Sequence, residues 1–134
     1  MFEDQDSRVP PPGRLCKAGE YCWAAFTGDF TPTGSTVTVL ADVVGGCIPP
    51  SAVGLFCQVE ANYVTLLPEI VRSLCSKISI APATIQQRFK LDTIDLRGHL
   101  RPSTCVLHYR TDLEFDWYVR VSHDYRVECC GPLD

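Results

Sequence analysis

The feature that most constrains this chain is a set of short runs in which apolar and polar residues alternate. The clearest is 115–121, where Phe115, Trp117, Val119 and Val121 alternate with Asp116, Tyr118 and Arg120. Successive side chains of a strand point to opposite faces, so a period of two marks a strand with one buried face. Residues 36–44 repeat the pattern, with Val37, Val39, Ala41 and Val43 on one side and Thr36, Thr38 and Asp42 on the other. Residues 53–59 (Val53, Leu55, Cys57, Val59), 87–96, 105–110 and 125–129 read the same way. The aromatic run 20–26 adds a further strand. Turn residues punctuate these runs: Gly28, Asp29, Pro32 and Gly34, then Gly45-Gly46 and Pro49-Pro50. Short linkers at 111–114 and 122–124 predict that the last three strands form a meander.

The period changes once. Leu67, Ile70, Val71, Leu74, Cys75 and Ile78 recur at helical spacing. Pro68 suits a first helical turn, and Glu69 and Lys77 match the two ends of a helix dipole. About seven short strands with one short helix, at about residues 67–78, predict an all-β sandwich or jelly roll. The 134 residues fit a single domain. Residues 1–13, ending in Pro10-Pro11-Pro12-Gly13, read as a flexible proline-bearing arm and 14–134 as the β domain.

Charge and composition exclude some functions. A net charge of −4 argues against the cationic face that sequence-independent nucleic-acid binding needs. No apolar run approaches the ~20 residues of a membrane helix. The acidic start, Met1-Phe2-Glu3-Asp4, lacks the basic and apolar regions of a secretory signal, so the chain is expected either to stay inside the cell or to have had a leader removed. The 8 cysteines admit three readings: buried free thiols, a disulfide framework in a secreted domain, or metal ligands. No Cys-x-x-Cys exists, and His99, His108 and His123 form no spaced pair, so no metal site is expected. Cys129 and Cys130 are adjacent and would face opposite sides of a strand.

Two segments carry the side chains that could do chemistry. Thr93-Ile94-Asp95-Leu96-Arg97-Gly98 sets a carboxylate and a guanidinium at the end of a strand. Val71-Arg72-Ser73-Leu74-Cys75-Ser76-Lys77 puts Arg72 and Ser73 on a helix. Together they resemble the third and second motifs of the dUTPase family. Ala18-Gly19-Glu20-Tyr21-Cys22-Trp23 is similar to its first motif, Ile48-Pro49-Pro50 to the turn that follows, and His123-Asp124-Tyr125-Arg126-Val127 lies where the fourth would fall. The resemblance spans about residues 18–130 and implies a distorted jelly roll of the dUTPase type. It also implies that Asp95 orients a water and that Arg72, Ser73 and Arg97 hold phosphate. An active member would turn dUTP into dUMP and pyrophosphate with magnesium.

The departures from that pattern matter for chemistry. Tyr21-Cys22-Trp23 lacks the aspartate of the first motif, and the tyrosine that stacks under the base is missing before Arg97. No glycine-rich arm is expected after the last strand, since the sequence stops at Gly131-Pro132-Leu133-Asp134, a few residues beyond it. Without a lid and a second carboxylate, the positioning that hydrolysis requires is lost. The resemblance therefore points to the dUTPase-derived proteins of DNA viruses, adenoviruses and herpesviruses among them, that kept the fold and lost catalysis. Such a protein would act in the host cytoplasm or nucleus on host signalling or antiviral proteins, without a cofactor. Trp117 and Tyr118, aromatic on both sides of one strand, are the expected subunit interface, and family members form trimers. A monomer in sedimentation at micromolar concentration would refute that assembly.

Overall fold

A computed structural model describes residues 15–18, 21–43, 48–97 and 104–133. Seven strands form one mixed sheet in chain order: β1 (Leu15–Ala18), β2 (Tyr21–Phe30), β3 (Ser35–Asp42), β4 (Phe89–Asp95), β5 (Cys105–Thr111), β6 (Asp116–Val121) and β7 (Val127–Leu133). All neighbours are antiparallel except β3 and β4, which run parallel. Parallel neighbours need a long crossover. Here the crossover is a pair of helices, α1 (Pro50–Ile78) and α2 (Pro82–Arg88). The β-rich reading and the final meander, β5 to β7, match the sequence expectation. A jelly roll would divide its strands between two sheets. These strands share one sheet, and the second layer is helical.

The helical layer differs most from expectation. Residues 53–59 are helix, not strand, and α1 begins well before residue 67. The alternating set Val53, Leu55, Cys57 and Val59 fits a period of two, but out-of-phase Phe56 is 0% exposed. The true pattern is the stripe Phe56, Val59, Tyr63, Leu66, Ile70, Val71 and Leu74, spaced mostly by three and four. Burying that stripe on the sheet outweighs the strand preference of the valines. Pro49-Pro50 opens the helix rather than breaking a strand, since Pro50 sits where a missing N–H leaves no bond unmade. Pro68 lies inside the helix, so the Val64 carbonyl has no i+4 donor. Both residues face solvent. Ser79 ends the helix in the left-handed region (φ 63°), and its N–H bonds the Cys75 carbonyl at 2.9 Å.

The core lies between the helices and one sheet face. Phe30 meets the Tyr63 ring edge-on at 5.1 Å and the Phe56 ring at 6.0 Å. Val37, Val39, Ile94, Leu107, Val119 and Val121 complete it from the central strands. Glu69, read as a residue of the first turn, instead ties α1 to β7. One of its oxygens accepts from Arg126 Nε at 2.9 Å and the other from the Val127 N–H at 3.0 Å. The Arg126 bond holds the Glu69 carboxyl below its ordinary pKa. Residues 1–13, Gly45-Gly46, Gly98 and His99 lie outside the described residues.

Candidate functional site

Asp95 ends β4 and follows Ile94, whose side chain is in the core. Alternation therefore turns Asp95 to the face of the sheet that the helices leave open. Asp95 is nonetheless only 3% exposed. Arg97 folds back on it. Its Nε and Nη2 donate to Oδ1 and Oδ2 at 2.9 and 2.8 Å, and its backbone N–H reaches Oδ1 at 3.1 Å. The guanidinium lies 4.8 Å from the Trp23 ring centroid, a cation–π contact. The pair register aligns Leu40, Asp95, Val106, Arg120 and Cys129 across the sheet. His108 stands one row away on the same face.

This arrangement locks a strand end and leaves little for catalysis. Both carboxylate oxygens already accept from Arg97, so Asp95 is poorly placed to take a proton from water. The bonds to Asp95 raise the Arg97 pKa, so the cation stays charged. Burial lowers the His108 pKa, outweighing the nearby carboxylates of Asp95 and Asp92. Burial also pushes the Cys105 thiol up to about 12, which makes it inert as a nucleophile. Magnesium does not fit these residues: the Asp95 oxygens face a guanidinium, and no group of three His, Cys, Asp or Glu among the described residues could share an ion.

Arg72 and Ser73 lie elsewhere. Both are on α1, on the other side of the sheet from Asp95. Ser73 sits over β7, where its carbonyl accepts the Cys130 thiol at 3.7 Å. Arg72 is exposed and borders an outer groove of about 470 Å³ between α1 and α2. Thus Asp95 and Arg97 come together, while Arg72 and Ser73 do not join them. No protein-family model, curated protein or solved structure matches this chain. The groove is then the more informative surface. Val64, Leu67, Pro68, Val71, Cys75 and Pro82 make it apolar, with Arg72 and Gln86 as its polar members. Val64 is 66% exposed in mid-helix, where an isolated fold has little reason to place valine. The Val64 carbonyl, deprived of its helical donor by Pro68, adds a backbone acceptor beside the groove.

The expected interface residues separate. Trp117 packs against the helix-side core, so it is not a free surface aromatic. Tyr118 faces the open side and lies over Gly131, where an added Cβ would come within 3.1 Å of its ring. Cys57, Cys75, Cys105, Cys129 and Cys130 are free thiols. No helix among the described residues is long and apolar enough to cross a membrane. Sequence reasoning missed the groove because it took 53–59 for a strand. Continuing the helical stripe back from Leu67 through Tyr63, Val59 and Phe56 would have exposed Val64 as an apolar residue off the stripe.

Proposed function

We propose that this chain is a non-enzymatic protein–protein interaction module whose docking surface is the groove between α1 and α2. The observation that carries the reading is a contiguous apolar wall with Val64 exposed at its rim. Exposed apolar grooves of this kind mark recognition sites. The occupant that fits is a short partner segment with apolar side chains for the wall and a carboxylate for Arg72. Host signalling or antiviral proteins are the partner class we propose, by analogy with the viral dUTPase-derived proteins that the sequence resembles. Descent from a dUTPase jelly roll rests on the order of five short segments alone.

Selection from a random peptide library tests the surface. Peptides enriched on the wild type are expected to carry apolar residues with Asp or Glu. They should lose at least about tenfold in affinity on Val64→Asp, the equivalent of ~1.4 kcal/mol, and bind Asp95→Asn unchanged. Enrichment indifferent to Val64→Asp would reject the groove. Mixed with dUTP and magnesium, the protein is expected to release no pyrophosphate. Turnover abolished by Asp95→Asn would overturn the non-enzymatic reading.

A further inference from the structure

Beneath the outer groove a second cleft, about 280 Å³, opens between α1, α2 and the sheet. Leu67, Ile70, Leu74 and Ile85 make its walls largely apolar, Thr33 and Gln86 add polar groups, and Tyr63 and Tyr109, whose hydroxyls bond each other, also line it. Those hydroxyls are 2.7 Å apart, on residues that are 3% and 4% exposed. One hydrogen bond uses one proton, but two phenols carry two. Whichever hydroxyl accepts still has its own O–H to place. Neither makes a second hydrogen bond among the described residues. Buried tyrosines usually satisfy that proton, and leaving it bare is unfavourable. Burial raises both pKa values, that of Tyr109 well above the ordinary range, so both remain donors.

We propose that this cleft binds a small uncharged apolar molecule whose single oxygen acceptor, a ketone or ester carbonyl, takes the spare proton of the Tyr63–Tyr109 pair. Size agrees: apolar cavities of roughly 150 Å³ hold benzene, and this one is larger. The lining excludes a charged ligand, because the cleft has no basic side chain to meet an anion and no acid to meet a cation. The site is distinct from the peptide groove, although Leu67, Val71 and Gln86 border both.

Acetophenone and α-methylstyrene test the inference, since they share a shape and differ by a carbonyl oxygen against a methylene. Binding is read from saturable NMR shifts of the Tyr63 and Tyr109 rings in the full chain. Both probes are expected to bind, acetophenone about fivefold more tightly, the order of one neutral hydrogen bond. The double variant Tyr63→Phe/Tyr109→Phe removes donor and acceptor together while keeping both rings. It should bind α-methylstyrene as the wild type does and show no preference between the probes. Saturation by neither probe would overturn the site. Equal binding to the wild type, or a preference that survives in the double variant, would overturn the role of the hydroxyl pair.

Discussion

Arg97→Ala is expected to lower the unfolding free energy by about 3–5 kcal/mol, the usual result of stripping a buried ion of its partner. The asymmetry of the pair explains the size. The Asp95 side chain is 5% exposed and that of Arg97 21%. Removing the guanidinium leaves a buried carboxylate with two of its three hydrogen bonds unmade, only the one from the Arg97 backbone N–H persisting. Removing the carboxylate charge is milder, because Arg97 can turn outward. Asp95→Asn should therefore destabilise by about 1–2 kcal/mol. Asp95→Asn/Arg97→Ala should recover much of what Arg97→Ala alone loses, since the buried charge is gone. Urea denaturation of the three variants measures this. Simple addition of the two single losses would mean that Asp95 and Arg97 act independently, and the lock would be wrong.

Phe56→Ala is expected to destabilise by about 3–5 kcal/mol. Phe56 is 0% exposed and meets Phe30 across the helix–sheet boundary. Truncation opens a cavity between two rigid layers that cannot collapse to fill it. Leu55→Ala, one position away and only partly buried, should change stability by less than half as much. The contrast tests the helix itself. A strand through 53–59 would bury Leu55 and expose Phe56, and the order of the two effects would reverse.

What could be read from the sequence follows from which forces act locally. β3, β5 and β6 were legible because each has one buried and one wetter face, and the alternation of Val37, Val39 and Ala41 records that directly. Residues 53–59 were ambiguous, since seven apolar-rich residues with valines fit either period. Only the sheet beneath them, built from strands far along the chain, favours the helix. The single-sheet topology was not legible for the same reason: the parallel β3–β4 pair depends on residues 50–88 forming a crossover. At the candidate site, sequence spacing brought Asp95 and Arg97 together because they are two residues apart. It could not place Arg72, whose side of the sheet is set by the packing of α1. Trp117 and Tyr118 were read as lying on the two sides of β6, and alternation does send them to opposite faces, but it could not show that Trp117 packs against the helix-side core.

In the proposed function, recognition belongs to the outer face of the helical layer, while Asp95 and Arg97 form a structural lock on the far side of the sheet. Chemical-shift mapping of a library-selected peptide on the isotopically labelled protein tests it most directly. The account predicts perturbations confined to Val64, Leu67, Val71, Arg72, Cys75 and Gln86 and their neighbours. Perturbations centred instead on Trp23, Asp95, Arg97 and His108 would contradict it and return function to the open sheet face.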